Sequence, residues 1–325
     1  MVKHWLDLIR WKNLLIAGIS ILLMKYAVFE PSINYLFPLS NSTLNFFETF
    51  ALSISVILIA AAGYVINDIN DIRADKINKP DKVIVGNKIT LKAANFSYYL
   101  FNISGIFIAA YVGKLAGNYK LAILHLIVAA LLWIYSSHLK NSFLIGNMIV
   151  SLSSALVPLT YFLFEGLGYA AEYGHILSEV YKSQIGGPLE VLFYFSIALA
   201  GFGFIISLIR EIIKDIQDYS GDFSIGAKTL PIVLGEKLAR IIIISIVVVF
   251  ALLVIYVLHF KLSAAPFNET PFIIYVWLLV ITPLADIIFG IIKAKESKDY
   301  QRPSNTCKFI MLTGTLTTLI YAFYV

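Results

Sequence analysis

Long runs of apolar residues constrain this 325-residue chain more than any other feature of its sequence. A helix needs about 20 mainly apolar residues to cross the hydrocarbon core of a bilayer. Charged residues make up 14% of the chain, compared with about a quarter in soluble domains, so an ordinary soluble fold is excluded. The sequence predicts an all-α membrane protein with nine transmembrane helices, at residues 13–29, 47–66, 91–113, 119–138, 143–164, 188–209, 240–259, 271–292 and 306–324.

The distribution of lysine and arginine predicts how these helices are oriented. If the amino terminus lies in the cytoplasm, all but five of the 25 Lys and Arg residues fall on the cytoplasmic side. The five exceptions are Lys25, Lys114, Lys120, Lys182 and Lys261. Cytoplasmic loops of membrane proteins carry an excess of these cations. We therefore expect a protein of the cytoplasmic membrane whose amino terminus is inside and whose carboxyl terminus is outside.

Two short acidic windows share one spacing and follow the second and sixth predicted spans. Each has three aspartates at relative positions 0, 3 and 7, and they are Asp68, Asp71, Asp75, Asp215, Asp218 and Asp222. On a helix these offsets fall within about 60° of one another, so each window would present a row of carboxylates on one face. Asp81 and Glu211 lie close to the two rows. The repeat indicates an internal duplication of two four-helix halves, with the ninth helix added.

The two rows predict a magnesium site on the cytoplasmic side. Facing carboxylates disfavour each other's charge unless a cation lies between them. Magnesium is commonly held by one or two carboxylates together with phosphate oxygens and water. A diphosphate held at the mouth of an apolar cavity points to a polyprenyl diphosphate. Nearby basic residues would neutralise its remaining charge, and they are Arg10, Lys82, Lys140, Arg210 and Lys214.

Four stretches of the sequence resemble a known family. Residues 67–82, NDINDIRADKINKPDK, resemble the first signature of the UbiA superfamily of intramembrane prenyltransferases. Residues 214–222, KDIQDYSGD, resemble its second signature. Residues 10–13, RWKN, and 135–140, YSSHLK, are similar to two shorter family positions. The resemblance covers essentially the whole chain in span count and motif placement.

This resemblance implies a nine-helix fold around a central cavity and the transfer of a prenyl group from its diphosphate to a lipophilic acceptor within the bilayer. The implied magnesium ligands are Asp71, Asp75, Asp215, Asp218 and Asp222. The implied diphosphate-binding residues are Arg10, Asn67, Lys82 and Lys140. Lys214 is a further candidate because of its position beside the second acid window. We expect Asp68 and Lys140 to act in catalysis. Val83 and Val85 stand where many relatives have proline, which would make the loop over the diphosphate less rigid.

The sequence also gives a hypothesis for the acceptor. Residues 210–222 and 226–231 look most like the branch that transfers a geranylgeranyl group to geranylgeranylglyceryl phosphate. In that reaction the nucleophile is a glycerol hydroxyl. The alternative is a branch that prenylates a ring carbon of an aromatic acceptor such as 4-hydroxybenzoate.

Other classes of protein remain as competing interpretations. A cation transporter would use the acid rows to coordinate a permeating ion, but it predicts acids at mid-depth rather than at one side. Membrane phosphotransferases also use spaced aspartates with metal, yet the glycine and arginine of their signature are not matched here. His125 and Asp286 are polar residues within predicted spans, and His125 is interpreted as a contact between helices. Residues 1–325 are expected to form one domain without a nucleic-acid partner.

Overall fold

The computed structural model of the protein describes residues 1–36, 41–78, 80–180, 188–261 and 270–323. Eight helices in this part of the chain are long and apolar enough to cross a membrane. With five further helices they form, in chain order, α1 Val2–Leu8, α2 Trp11–Tyr35, α3 Phe46–Asn70, α4 Ile72–Asn78, α5 Leu91–Leu115, α6 Tyr119–Leu139, α7 Ile145–His175, α8 Leu189–Gln217, α9 Tyr219–Ser224, α10 Leu230–Leu234, α11 Glu236–His259, α12 Thr270–Lys293 and α13 Gln301–Tyr321. The described residues contain no β-strand.

The prediction of an all-α integral membrane protein is confirmed. The first eight predicted spans each fall on one of the eight apolar helices. The charged residue Lys25 lies within the first predicted span, and α2 continues through it. The ninth predicted span falls on α13, a helix of 21 residues that is less apolar because polar residues occupy its first turns and threonines recur along it.

Six of the long helices form a closed ring. Around it, α2 contacts α3, α3 contacts α6, α6 contacts α7, α7 contacts α8, α8 contacts α13, and α13 returns to α2. The other three long helices pack outside: α5 lies against α3, α11 against α8, and α12 against α13. This arrangement leaves a space at the centre, between the six inner helices.

One glycine of the ring makes room for an aromatic side chain. Gly314 of α13 lies so near the ring of Phe202 on α8 that a Cβ atom would come within 2.1 Å of it. No real Cβ atom approaches another atom so closely, so any larger residue at this position would require the Phe202 ring to move. Gly314 therefore lets the Phe202 side chain pack against α13 beside the central space.

A buried polar cluster fixes the end of the ring that lies away from the acid windows. Glu165 of α7 is 0% exposed, and its carboxylate accepts hydrogen bonds from the backbone N–H of Thr43 at 2.6 Å and of Leu44 at 3.0 Å. Lys25 of α2 is also buried, donates to the Leu44 carbonyl and pairs with Glu30 at 2.9 Å. Buried charges are tolerated when they are paired and hydrogen-bonded in this way. The cluster ties α2 and α7 to the segment before α3.

Candidate functional site

The ring encloses one cavity of about 300 Å³ that is apolar at depth and charged at one end. Its deep walls include Met24 of α2, Val56 of α3, Leu156 of α7 and Leu199 of α8. The charged end is built where α3 and α8 reach the two acid windows. An apolar chain with a polar head would therefore find both environments in one continuous space.

The first acid window forms at the end of α3. The helix ends at Asn70, Asp71 follows as its C-cap residue, and α4 begins at Ile72. The Asp71 carboxylate pairs with the ammonium group of Lys140 and accepts a hydrogen bond from Asn67 Nδ2 at 2.6 Å. Asn67, Asp75 and Lys140 all line the cavity.

The second acid window repeats this arrangement at the end of α8. The helix ends at Gln217, Asp218 is the N-cap residue of α9, and Asp222 lies within α9. Asp215 Oδ2 accepts a hydrogen bond from Asn147 Nδ2 of α7 at 2.8 Å. Asp215, Asp218 and Asp222 line the same cavity as the first window.

The expectation that each row continues along a single helix is wrong. In both windows the middle aspartate interrupts the helix, with φ and ψ of −87° and −1° at Asp71 and of −97° and 9° at Asp218. At Asp71 the carboxylate is held by the neighbouring loop through Lys140 rather than lying along the helix face. Because the chain turns at these residues, the short helices α4 and α9 contact each other over the cavity end.

Arg10 enters the site from the start of α2 in an unusual backbone conformation. Its φ of 52° lies in the left-handed region, which non-glycine residues rarely adopt and which is concentrated at functional sites. Its Nη2 donates to Asp68 Oδ1 at 2.9 Å, and its guanidinium carbon lies 4.7 Å from the centre of the Tyr64 ring. The conformation thus aims a cation at the cavity, and Asp68 holds it there.

Lys140 remains charged although its side chain is only partly exposed. Burial lowers the pKa of a lysine, but the Asp71 carboxylate, followed by Asp75 and Asp222, outweighs burial and raises the Lys140 pKa above its ordinary value. The residue follows α6 and precedes α7, so this short loop brings one ammonium group to carboxylates of both windows.

The structure brings most of the predicted site residues together. Those that line the cavity are Arg10, Asn67, Asp75, Lys140, Lys214, Asp215, Asp218 and Asp222. Asp68 and Asp71 adjoin it through Arg10 and Lys140. The side chain of Lys82 lies outside the described residues.

The two polar residues singled out within spans have other partners. His125 Nε2 lies 2.9 Å from Ser55 Oγ, so the histidine joins α6 to α3 as interpreted from the sequence. Asp286 of α12 pairs with Arg302 and accepts a hydrogen bond from Thr306 Oγ1 at 3.0 Å. Asp286 therefore joins α12 to α13.

Sequence reasoning missed several residues of the charged end. Tyr64, Tyr135, Asn147 and Lys308 were not singled out, and Glu211 was noted only as a neighbour of the second row. All but Asn147 line the cavity, and Asn147 touches Asp215. An asparagine near the start of a span was a usable signal, because polar residues in such positions face the bundle interior.

The donor set is chemically suited to a hard metal ion. It offers five aspartates, the Asn67 amide and the cation of Lys140, which already neutralises Asp71. Within the described ranges, no three side chains of the His, Cys, Asp and Glu type are gathered closely enough to hold an ion by themselves. Magnesium commonly takes only one or two carboxylates and obtains further ligands from phosphate and water, so the residues present fit a magnesium–diphosphate pair.

Comparison with known proteins gives one consistent family. The sequence profile of the UbiA prenyltransferase family matches residues 36–312. Digeranylgeranylglyceryl phosphate synthase of Sulfolobus acidocaldarius is 33% identical over 74% of this chain and 73% of its own length. Digeranylgeranylglyceryl phosphate synthase of Methanococcoides burtonii is 30% identical over 99% of this chain and 100% of its own.

Solved structures share the fold. A structure of digeranylgeranylglyceryl phosphate synthase matches with a TM-score of 0.58 and 23% identity, covering 100% of this chain and 99% of that one. A UbiA homologue from Archaeoglobus fulgidus, bound to GPP and Mg²⁺, matches with a TM-score of 0.55 and 16% identity, covering 97% of this chain and 99% of that one. The match to the family profile and the likeness to the synthases of Sulfolobus acidocaldarius and Methanococcoides burtonii agree: the chain belongs to the UbiA prenyltransferase family and is a prenyltransferase.

Proposed function

We propose that this enzyme transfers a geranylgeranyl group from geranylgeranyl diphosphate to a hydroxyl of geranylgeranylglyceryl phosphate, with magnesium as cofactor. The observation that carries the proposal is the meeting of two acid windows at the end of one apolar cavity. Such a space suits a ligand that has a diphosphate head and a long hydrocarbon tail. The relatives at 30–33% identity are digeranylgeranylglyceryl phosphate synthases, which supports this acceptor over an aromatic one.

We assign the metal shell to both windows. Magnesium would be held by Asp71 and Asp75 on one side and by Asp215, Asp218 and Asp222 on the other. When bound, it would neutralise the charge that develops on the departing diphosphate. Arg10, Asn67, Lys82, Lys140 and Lys214 are the proposed contacts for the diphosphate oxygens.

The chain's own residues position and stabilise the reacting groups. The diphosphate leaves with the electron pair of the allylic C–O bond, the glycerol oxygen bonds to that carbon, and the hydroxyl proton is released. Lys140 and Arg10 place positive charge where the diphosphate gains negative charge, an arrangement that often dominates catalysis. Asp68 acts as a positioning residue, because its carboxylate holds Arg10 at 2.9 Å. The apolar walls keep water from the allylic carbon.

A panel of acceptors tests this function directly. We expect purified enzyme with magnesium and geranylgeranyl diphosphate to convert geranylgeranylglyceryl phosphate to the diether, detected by mass. With 4-hydroxybenzoate as the only acceptor, we expect a rate at least about a hundredfold lower, because a site that binds polar substrate groups rejects analogues that leave those groups unpaired. Preferential prenylation of the aromatic ring would contradict the proposed acceptor. Consumption of neither acceptor would contradict both alternatives.

We also propose that α13 crosses the membrane as a ninth span and that residues 1–325 form one domain. Supporting observations are that α13 has 21 residues and completes the ring between α8 and α2. A helix of that length spans about 30 Å, which matches the hydrocarbon core. The excess of Lys and Arg on one side supports a cytoplasmic amino terminus. With that orientation, nine spans would put both acid windows in the cytoplasm and the carboxyl terminus outside. They also group as two four-helix halves followed by α13.

Cysteine labelling tests this topology. In a Cys307→Ser background, Asn41→Cys and Lys114→Cys should react with a membrane-impermeant maleimide in intact cells. Asn87→Cys and Lys295→Cys should react only after the cells are permeabilised, because they lie on the cation-rich side. All four should label in detergent, which controls for accessibility. The reverse pattern in intact cells would invert the orientation.

A further inference from the structure

The charged end of the cavity contains a second set of groups, which is basic rather than acidic. The basic cluster consists of Arg10, Arg210, Lys214 and Lys308, all of which line the cavity. It lies on α2, α8 and α13, which are neighbours in the ring. The carboxylates and Lys140 instead involve α3, α4, the loop before α7, and the end of α8 with α9. The two sets therefore share one opening and adjoin on α8, where Lys214 precedes Asp215.

The electrostatic partners of two lysines distinguish the two sets. The carboxylates that act most strongly on Lys140 are Asp71, Asp75 and Asp222. The charges that act most strongly on Lys308 are those of Arg210, Lys214 and Arg10, followed by Glu211. Lys308 is thus placed among like charges, which is unfavourable unless an anion joins them.

The basic cluster carries more positive charge than its own carboxylates balance. Glu211 is 5% exposed and pairs with Arg210 and Lys214, each at 2.7 Å, while Asp68 pairs with Arg10. Lys308 forms no ion pair with a carboxylate in the part of the chain that the structure describes. Four cations against two carboxylates leave two positive charges. A phosphate monoester carries about −1.5 to −2 at pH 7 and would balance them.

Arg210 adds a hydrogen-bond donor that lacks an acceptor. Its Nη1 donates to Glu211, but its buried Nε atom has no acceptor among the described residues. Buried polar atoms nearly always have partners, so an unpaired donor on a cavity wall calls for one from a ligand. Arginine is well suited to phosphate, because its planar group donates in a fixed fork.

A path lined by apolar residues, and by threonines whose hydroxyls donate to carbonyls of their own helix, leads inward from the basic cluster. Met311, Thr315 and Thr318 line the cavity below Lys308 on α13, at helical spacings of three, four and three residues. Leu14 and Ala17 do the same below Arg10 on α2. A ligand anchored at the cluster could therefore extend a hydrocarbon chain along this wall.

We propose that Arg210 and Lys308, the two members of the basic cluster that are not assigned to the donor's diphosphate, bind the phosphate monoester of the acceptor lipid. The inference rests on the proposed function, because it names the subsite that the acceptor would use. It assigns Lys308 as a residue that determines acceptor specificity. It also explains how one opening sorts two phosphorylated lipids: the donor's diphosphate binds through magnesium and the side chains already assigned to it, and the acceptor's phosphate binds to Arg210 and Lys308.

Equilibrium binding to the purified full-length protein in detergent tests the proposal without turnover. The probes are geranylgeranylglyceryl phosphate and geranylgeranylglycerol, which differ only in the phosphate. Wild-type protein should bind the phosphorylated lipid at least about tenfold more tightly, the effect of one charged hydrogen bond. Lys308→Gln should weaken its binding about tenfold to a hundredfold and leave the neutral lipid unchanged. Because no carboxylate of the described residues pairs with Lys308, this variant should fold normally.

Three controls sharpen the result. Lys308→Arg keeps the charge and should retain the preference, and Lys295→Gln removes an exposed lysine and should behave as wild type. Geranylgeranyl diphosphate binding with magnesium should be unchanged in Lys308→Gln. Inorganic phosphate at the lipid's concentration should not displace it, because the site also binds the hydrocarbon chain.

The outcomes separate this inference from the proposed function. Equal binding of the two lipids by wild type, an unchanged preference in Lys308→Gln, or a loss confined to donor binding would overturn the inference. Displacement by equimolar inorganic phosphate would also overturn it, since the site would then serve a free anion. If wild type keeps the Lys308-dependent preference yet never prenylates this lipid, the proposed function fails and the phosphate subsite stands. If wild type prenylates the lipid but binds the phosphorylated and neutral lipids equally well, the phosphate subsite is wrong and the proposed function stands.

Discussion

Asp218→Asn and Asp71→Asn should each lower kcat by about two to three orders of magnitude, the cost of removing one preorganised group that stabilises transition-state charge. Each substitution removes a negative charge from one acid window and keeps the size of the side chain. Asp218 lines the cavity, and Asp71 is joined to it by Lys140. Steady-state kinetics at saturating magnesium and donor would measure the loss.

Two controls separate loss of the site from loss of the fold. Asp7→Asn changes an exposed aspartate near the amino terminus and should leave kcat unchanged. The thermal unfolding midpoint in detergent of both window variants should stay close to that of wild type. Wild-type kcat in both window variants would exclude the windows as the metal site.

Lys140→Ala should lower kcat/KM for the prenyl diphosphate by about one to two orders of magnitude. A hydrogen bond from a charged group is worth roughly 1.5–3 kcal/mol, and about 1.36 kcal/mol corresponds to a factor of ten. The raised pKa of Lys140 keeps its ammonium group charged at neutral pH. KM for the acceptor should change much less, because the proposed acceptor subsite uses Arg210 and Lys308 and not Lys140.

A purely structural role for Lys140 predicts a different pattern. If Lys140 only neutralised Asp71, its loss would change kcat/KM for the prenyl diphosphate and KM for the acceptor by similar factors. Lys140→Arg should restore most of the donor kcat/KM, and Lys88→Ala, an exposed lysine in a cytoplasmic loop, should have no effect. Unchanged donor kinetics in Lys140→Ala would remove this residue from the diphosphate site.

The sequence was sufficient to predict the spans and the acid windows, because both depend on local patterns. Runs of apolar residues determine which segments enter the membrane, and eight of them became the eight apolar helices. The repeated aspartate spacing marked the ends of α3 and α8, which do meet at one cavity. The same local reasoning assumed unbroken helices and so missed the turns at Asp71 and Asp218.

The remaining site residues depend on contacts between distant parts of the chain. Lys308 reaches the cavity because α13 packs against both α8 and α2, and no nearby sequence pattern encodes that packing. Asn147 matters because α7 lies beside α8 and places its amide 2.8 Å from Asp215. No local sequence pattern indicates the role of Glu165, because the backbone N–H groups that donate to it lie more than 100 positions away, at Thr43 and Leu44.

In the proposed mechanism, the two windows together bind the donor through magnesium. Calorimetric titration of geranylgeranyl diphosphate into metal-free protein, and then into protein with magnesium, measures this binding without the acceptor. We expect binding to require magnesium, and we expect the double variant Asp71→Asn/Asp218→Asn to show no binding with or without it. Equally tight binding with and without magnesium, or magnesium-dependent binding that survives in the double variant, would contradict it.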